Sequence, residues 1–259
     1  MKVIFAGYRD WALKVLPAIQ RHPRVEEVKH VNDLGSLELL VTGRWGDMVS
    51  FPAVVQPTIV MGEPGELFSG KVVSMSDTSQ FKCAYDLVLL CGWSWQVSKD
   101  LLNRVPVISE HPAYLDEYSL GTPLQGQIED GIKYTKHRVV KIGYPELGER
   151  LYSPNHEVDM NLTGNMDDIL DEMASTCKTI YTRFLDDWPN IHWEQWPKAE
   201  QYRTPRKPHN SKLSQAELHM GTKYLYDKIR MLESPYPNAF IEDDDGILYF
   251  ERVSYKSKK

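Results

Sequence analysis

Short apolar runs and amphipathic stretches alternate along the first part of the chain. Residues 3–6 form a continuous apolar run, residues 11–19 carry apolar side chains at intervals of three and four, and residues 25–31 form another strand-like run. Such runs predict buried strands, and the three-to-four spacing predicts a helix. Pro17 predicts a kink in this helix or an early end to it. Strand, helix and strand in this order are typical of a parallel α/β sheet.

The clearest buried strand is predicted over residues 86–92, where an unbroken apolar run ends at Gly92. A short helix over residues 97–102 and another strand over residues 105–109 follow it. The carboxyl ends of neighbouring parallel strands lie at the same edge of a sheet. We therefore expect Gly92 and Ser109 to lie close together at that edge.

The second half of the chain predicts one long helix and a small terminal unit. The predicted elements are a helix over 123–130, a strand over 138–142, a helix with a long apolar stripe over 166–188, a helix opened by a capping box at 214–217, and a hairpin across 243–246. Residues 35–80 give no readable order of elements. We expect an α/β domain over residues 1–190 with a Rossmann-like open, mostly parallel sheet, a linker over 191–213, and a small C-terminal α+β module over 214–259.

Composition and charge narrow the range of partners. The net charge of −6 and the pI near 5.8 disfavour a nucleic-acid partner, because phosphate contacts need clustered Lys and Arg. The three cysteines are widely spaced and form no metal-type pair, which fits a reducing cytoplasm. No apolar run has the length of a signal peptide or a membrane span. We expect a cytoplasmic protein with no metal and no membrane association.

The segment Ser109-Glu110-His111-Pro112 is the one most suited to chemistry. His111 follows the predicted end of a strand by two residues, and ligands of open α/β sheets bind at the carboxyl ends of strands. An imidazole there can stabilise an oxyanion or move a proton, and each role is worth about a hundredfold or more in rate. A lone histidine near a strand end is more often structural, so the residues alone leave both interpretations open.

Several motifs resemble those of the formyltransferases, the family of the methionyl-tRNA, glycinamide-ribonucleotide and amino-sugar formyltransferases. The signature N-x-H-P of this family is similar to residues 109–112, with Ser109 in place of the asparagine, and the P-x-Q that follows is matched by residues 123–125. The opening strand with its glycine turn, the R-T-P linker over 203–213 and the P-Y-P-x-A-F run within 229–241 are similar as well. The resemblance implies the formyltransferase fold and spans most of the chain.

The resemblance also implies catalytic residues. His111 and Ser109 would stabilise the oxyanion, although a serine hydroxyl is shorter than the asparagine amide and lacks its second polar group. Glu146 lies in a D-x-G-x-I/L-like run at the place of the family's catalytic aspartate, with a glutamate instead. Taken alone, Glu146 is equally well a solvated loop carboxylate, and Glu110 and Glu149 are rival carboxylates.

The substrates implied by the resemblance are 10-formyltetrahydrofolate, as the formyl donor, and a primary amine of a small molecule. No metal is needed. Leu90, Gly92 and Trp93 would bind the pteridine of the donor, Gly92 because it lets the backbone approach a flat ligand, and Gln125 would bind the acceptor. The alternative interpretation of Trp93 is that its indole is simply buried and does not contact the donor. The terminal motifs are commonest in family members that act on small amines, including nucleotide-linked amino sugars, and a homodimer is possible.

Two other functions remain open at this point. One is a catalytically impaired homologue that binds a folate or a nucleotide-like ligand, since two of the three catalytic positions are substituted. The other is a transferase acting on a modified nucleobase or a macromolecule, for which the basic segment 203–207 would be the docking face. Release of tetrahydrofolate in the presence of an amine separates an enzyme from a binding protein.

Overall fold

A seven-stranded sheet forms the centre of the computed structural model, which describes residues 1–43, 82–119, 122–143, 151–197 and 205–258. The strands are β1 (Lys2–Ala6), β2 (Glu27–Val31), β3 (Leu87–Leu90), β4 (Val107–His111), β5 (Tyr134–Lys141), β6 (Leu151–Asn161) and β7 (Glu194–Gln195). Their order across the sheet is β2-β1-β3-β4-β5-β6-β7.

The sheet is parallel on one side and antiparallel on the other. β1 pairs in parallel with β2 and β3, and β3 pairs in parallel with β4. The pairs β4–β5, β5–β6 and β6–β7 are antiparallel. β1, β2, β3, β4 and β6 therefore run in the same direction, and the expectation of a Rossmann-like, mostly parallel α/β sheet is confirmed.

β4 ends at His111, so its predicted end at Ser109 is two residues too early, and His111 lies where the strand meets the loop. The antiparallel neighbour explains the difference, because β5 pairs Val139 with Glu110 and Arg138 with His111. This pairing extends β4 beyond its apolar part. Side chains alternate along a strand, so Ser109 and His111 project from one face and Glu110 from the other.

The helices of the first part of the chain are α1 (Asp10–Leu13), α2 (Leu16–Gln20), α3 (Leu34–Thr42), α4 (Lys99–Arg104), α5 (Pro123–Glu129) and α6 (Met166–Asp187). The break between α1 and α2 confirms the predicted effect of Pro17, which lies in the first turn of α2, where its missing N–H is not needed. α3 and β6 were not predicted from the sequence.

The long helix α6 packs on the sheet through its apolar stripe, as predicted. Asn165 caps its N-terminus and forms a capping box with Asp168. Fully buried side chains recur along one face of the helix and join the core beneath β1, β3 and β5: Met166, Ile169, Cys177, Ile180, Tyr181, Phe184 and Leu185. A second core on the opposite face of the sheet lies under α3 and α4. Within the described ranges no helix is long and apolar enough to cross a membrane.

The C-terminal module contains α7 (Gln215–Leu218), α8 (Thr222–Arg230) and a hairpin of β8 (Ala239–Glu242) and β9 (Ile247–Phe250). The hairpin and the Ser214 capping box were predicted and are confirmed. The single helix expected after Ser214 is wrong, because Gly221 interrupts it with a φ of +94°, in the left-handed region. The expected linker contributes β7 and a 3-10 turn, Pro208–Ser211.

Buried ion pairs join this module to the rest of the chain. The Arg230 guanidinium, 3% exposed, contacts Asp227 at 2.8 Å and donates to the backbone oxygen of Leu162 at 2.7 Å. Lys228 contacts Glu129 of α5 at 2.5 Å. Apolar side chains of α8 belong to the same core as α6. The module and the sheet therefore share one interior, while the domain boundaries themselves stay predictions.

Candidate active site

The predicted site residues lie at the carboxyl edge of the parallel strands. Leu90 of β3 pairs in register with Ser109 of β4, and Gly92 follows the end of β3 by two residues. The structure thus brings Gly92 and Ser109 to the same edge of the sheet, as the sequence predicted. His111 lies two residues further along β4, on the same face as Ser109. A hydroxyl and an imidazole therefore project side by side from this edge.

The His111 imidazole is half-buried and already engaged. Its Nε2 lies 3.1 Å from the backbone oxygen of Tyr118, and because a carbonyl oxygen only accepts, Nε2 is the protonated nitrogen. The Trp196 ring packs edge-on against the imidazole, with 4.9 Å between the centroids. Burial lowers the pKa of His111 to about 4, so the ring is neutral at pH 7 and its lone pair is on Nδ1.

Gln127 fixes the loop that follows His111. Its side chain is fully buried, donates to the backbone oxygen of Pro112 at 2.9 Å, and accepts a hydrogen bond from the Thr135 hydroxyl at 2.5 Å. Gln127 thereby ties this loop to α5 and β5. Sequence reasoning missed both Gln127 and Trp196. No local signal singles out Gln127, because Gln125 is a second amide in the same helix.

Ser109 holds its hydroxyl only weakly. Within the described residues, the Oγ atom donates to the backbone oxygen of Glu110 at 3.3 Å, at the long end of the hydrogen-bond range. A hydroxyl in such a contact can rotate towards another acceptor at little cost. The arrangement is compatible with Ser109 as a donor to a bound carbonyl oxygen.

Glu110 points away from this face and into the protein. Its Oε1 accepts the Gly92 N–H at 3.1 Å, and its Oε2 lies 3.1 Å from Nε2 of His137. Burial alone would raise the pKa of Glu110, but the bonds from His137 and Gly92 lower it below its ordinary value. Glu110 therefore does not face an acceptor that lies against Ser109 and His111.

The remaining candidate carboxylates, Glu146 and Glu149, lie outside the described residues, and their roles stay predictions. No group of three His, Cys, Asp or Glu side chains that could hold a metal ion occurs in the ranges that the structure covers. The chemistry available in the described part of the site therefore comes from Ser109 and His111.

The backbone around Gly92 is satisfied by the protein itself. The Leu90 carbonyl accepts a hydrogen bond from the Tyr181 hydroxyl, and the Gly92 carbonyl accepts one from Nε of Arg9 at 3.2 Å. Gly92 has a φ of +61°, and a Cβ atom there would lie 2.9 Å from the Trp11 ring. A glycine is thus required by the turn and by packing against Trp11, whereas the sequence had suggested the approach of a ligand.

Three partly exposed rings, those of Tyr8, Trp93 and Trp95, form an aromatic cluster at the ends of β1 and β3. The Trp95 centroid lies 4.5 Å from that of Tyr8 and 4.8 Å from that of Trp93. The Tyr8 hydroxyl and Nη2 of Arg9 both contact Oγ of Ser94, at 2.9 and 3.1 Å. Nε1 of Trp93 is buried and has no hydrogen-bond partner among the described residues. The cluster therefore offers partly exposed ring faces to a flat ligand, while the buried N–H of Trp93 faces the protein interior.

Gln125 lines a crevice between α5 and the C-terminal module, together with Arg206, Lys207 and Tyr236. The Tyr236 hydroxyl hydrogen-bonds the Gln125 side chain, and its ring lies 6.0 Å from the Arg9 guanidinium. Burial raises the pKa of Tyr236, which therefore remains a neutral phenol. Tyr236 and Arg9 were not predicted. Arg9 could have been suspected from its position two residues after Gly7, at the end of β1.

Sequence comparison identifies one matching family. Residues 208–259 match the family model of the methionyl-tRNA formyltransferase C-terminal domain. No curated protein sequence matches the chain.

Three solved structures illustrate the similarity in fold. Methionyl-tRNA formyltransferase from Clostridium thermocellum has a TM-score of 0.73 at 20% identity, covering 100% of this chain and 95% of that one. A sugar N-formyltransferase from a Shewanella species has a TM-score of 0.60 at 16% identity, covering 100% and 99%. HypX from Aquifex aeolicus in complex with tetrahydrofolic acid has a TM-score of 0.59 at 10% identity, covering 93% and 36%. The expected resemblance is confirmed: in its fold along the chain, and in its sequence over residues 208–259, this protein is similar to the formyltransferases, the enzymes that transfer one-carbon formyl groups.

Proposed function

We propose that this protein is a cytoplasmic N-formyltransferase that moves a formyl group from 10-formyltetrahydrofolate to a primary amine of a small molecule, a nucleotide-linked amino sugar being the acceptor class. The observation that carries the proposal is the placement of Ser109 and His111 side by side at the strand edge, next to Gly92, in a chain with the formyltransferase fold. One structural neighbour is a sugar N-formyltransferase, and another holds tetrahydrofolic acid.

The aromatic cluster supports a folate as the donor. A pteridine is flat, and the partly exposed ring faces of Trp93 and Trp95 match this property. The backbone groups of Leu90 and Gly92 already have partners in the protein. Their contribution is therefore to hold the turn that carries Trp93. When bound, 10-formyltetrahydrofolate supplies the activated formyl carbon that the amine attacks.

His111 can favour the transition state over the bound substrate. Its Nε2–H donates to the neutral carbonyl of Tyr118, and exchanging that acceptor for a neutral formyl oxygen gains little. Exchanging it for a developing oxyanion gains more, because hydrogen bonds to charged acceptors are about twice as strong. Stabilisation that is realised only in the transition state raises the rate of the chemical step. Ser109, with its loosely held hydroxyl, supplies a second donor to the same oxygen.

The amine forms a bond to the formyl carbon and must lose a proton, and the bond from that carbon to N10 of the donor then breaks, so that N10 takes up a proton and tetrahydrofolate leaves. We assign removal of the amine proton to Glu146, either directly or through water, as the sequence suggests. The amine has to be neutral to act as a nucleophile, so the rate should rise as the pH approaches the pKa of the acceptor. The direct experiment is to mix the protein with 10-formyltetrahydrofolate and a panel of primary amines and to follow the release of tetrahydrofolate. Folate binding without release for any amine would instead favour the impaired homologue.

Replacing Ser109 with asparagine is expected to increase kcat by about five- to tenfold. The longer amide adds a hydrogen bond worth about 1–1.5 kcal/mol to the oxyanion. Initial rates of tetrahydrofolate release for Ser109→Asn, Ser109→Ala and the wild type measure the effect, and the alanine variant should be slower than the wild type. An asparagine variant no faster than the alanine variant would show that residue 109 does not contact the reacting oxygen.

Replacing Tyr236 with phenylalanine is expected to raise KM for the acceptor by about tenfold and to leave KM for the donor unchanged. The substitution keeps the ring but removes the hydroxyl that holds Gln125 in the crevice, a loss on the scale of one hydrogen bond. Steady-state kinetics with each substrate varied in turn separates the two constants. Tyr249→Phe, on an exposed ring of the hairpin, is the matched control. A rise confined to the donor would assign the crevice to the folate instead.

A tRNA acceptor is the second candidate, because residues 208–259 match a C-terminal domain model of methionyl-tRNA formyltransferases. The charge argues against it: the net charge is −6, and Arg206 in the basic segment is paired with Glu129 at 3.1 Å. Adding charged methionyl-tRNA to the amine panel tests this class. Formylation of the tRNA with a steep loss of rate as salt increases would favour it over the small amine.

A further inference from the structure

Glu110 lies between the two catalytic candidates of β4, yet its carboxylate serves the opposite face of the sheet. The side chain is 8% exposed and the His137 side chain is fully buried. Glu110 bonds the Gly92 N–H and His137, and Nδ1 of His137 lies 2.7 Å from the Thr176 hydroxyl. One chain of hydrogen bonds thus connects the end of β3, the end of β4, β5 and the helix α6.

The partners determine the direction of these bonds. The Thr176 hydroxyl has a single proton and lies 2.8 Å from the Glu172 carbonyl and 3.1 Å from the Met173 carbonyl, which only accept. The hydroxyl therefore donates there and accepts from Nδ1 of His137. Glu110 as a carboxylate accepts from Nε2. Glu110, His137 and Thr176 therefore form a buried row of hydrogen bonds that is fixed at its far end by a helix.

Stability alone does not account for such a pair. Replacing both partners of a buried hydrogen bond with apolar side chains of the same shape can be nearly neutral or stabilising, because the polar groups must give up their hydration. The side chains around this pair are apolar. Cys91, Val139 and Cys177 lie next to it and are fully buried. A polar network kept at this place fixes geometry in a way that apolar packing does not, since hydrogen bonds are directional.

We propose that Glu110, His137 and Thr176 form a positioning network that sets the turn at Gly92, and with it Trp93, in its place beside Ser109 and His111. The inference rests on the proposed function, because the network aligns the donor slot with the residues that face the formyl carbon. Glu110 is a positioning residue here, acting through the Gly92 N–H, and does not touch the substrate. Its main effect is on binding of the folate.

The test compares Glu110→Gln, Thr176→Val and the double variant Glu110→Leu/His137→Leu with the wild type. The double variant replaces both side chains of the pair with apolar ones and leaves the buried Gly92 N–H without this acceptor, so we expect its thermal midpoint to fall by only a few degrees. We expect its KM for 10-formyltetrahydrofolate, and its Kd for tetrahydrofolate, to rise at least about tenfold, with a smaller change in kcat. Glu110→Gln can still accept from Gly92 and donate to His137, and it should retain near wild-type constants.

Thr176→Val keeps the volume but removes the acceptor of the His137 proton, and should raise KM for the folate in the same direction by less. If the double variant does not fold, Thr176→Val alone tests the positioning network. Glu233→Gln is the matched control, a buried carboxylate that instead bonds the backbone N–H of Met166. Wild-type folate constants in both the double variant and Thr176→Val would overturn the proposal. So would a glutamine variant as impaired as the double variant.

Failure of the proposed function gives a different result. If the wild type releases no tetrahydrofolate with any acceptor, the transferase proposal fails, and the Kd of tetrahydrofolate still compares the variants. A wild type that turns over normally alongside unaffected network variants contradicts only the positioning network. A wild type with no affinity for tetrahydrofolate contradicts both.

Discussion

His111→Ala is expected to reduce kcat by about a hundredfold or more while changing KM for either substrate by much less. Loss of one donor to an oxyanion costs about 2.7–4 kcal/mol of transition-state stabilisation, and His111 is placed to make that bond only when the charge develops. The Tyr118 carbonyl, which holds Nε2 at 3.1 Å before that moment, loses only a neutral partner. Initial rates of tetrahydrofolate release, with each substrate varied, provide the measurement.

The pH dependence of stability and of the reaction rate provides a second test of His111. Burial lowers the pKa of His111 to about 4, below its ordinary value near 6.5. Between about pH 4 and about pH 6.5 His111 binds a proton in the unfolded chain but not in the folded one. This residue therefore makes the free energy of unfolding increase with pH between these two values and decrease as the pH falls towards 4. From pH 6 to 8 the rate should therefore follow the acceptor amine alone. His219→Ala, on an exposed imidazole, is the control, and equal kcat values for the two alanine variants would exclude His111 from the reaction.

Arg230→Met is expected to lower the free energy of unfolding by about 3 kcal/mol. Arg230 and Asp227 are each 3% exposed, and removing the arginine leaves the buried carboxylate with the half-exposed Lys223, at 2.6 Å, as its remaining cation among the described residues. The backbone oxygen of Leu162 loses this donor as well, and that of Gly164 keeps the Tyr226 hydroxyl at 3.4 Å. For a chain of this size the thermal midpoint should fall by about 6–12 °C, as measured by circular dichroism.

Two further variants make this stability prediction specific. Arg252 contacts Asp167 on the surface, with 63% and 66% of the side chains exposed, so Arg252→Met should cost about 0–1 kcal/mol. Arg230→Met/Asp227→Leu removes both charges and should recover part of the loss. A midpoint for Arg230→Met as high as that of Arg252→Met would show that the buried pair does not hold the C-terminal module in place.

The elements that could be predicted are those with a strong local pattern. β3 is a continuous apolar run, and α6 has an apolar stripe over six turns with a capping box at its start. β6 was missed because it contains Pro154, Asn155 and His156, which do not favour a strand, and it is held by pairing with β5 and β7. α3 was missed because apolar side chains lie on all its sides, so it carries no clear helical periodicity.

The residues of the site also divide into those with a local sequence pattern and those placed by distant parts of the chain. Ser109 and His111 could be predicted because the motif and the strand edge coincide. That Glu110 does not face the substrate could have been predicted from the alternation of side chains along a strand. This prediction requires β4 to continue to His111, and that continuation depends on pairing with β5. Trp196 and Tyr236 reach the site from distant parts of the chain, and no local pattern indicates that. Glu146 lies outside the described residues, and its role remains a prediction.

The ion pairs between Glu129 of α5 and the C-terminal part of the chain have a consequence for the construction of chimaeric proteins. Glu129 lies in one part of the chain and its partners Arg206 and Lys228 in another, and all three are largely buried. Replacing the C-terminal segment with one that lacks these two cations would leave the buried Glu129 carboxylate without them. The segment is therefore exchangeable only together with an α5 whose charge matches it.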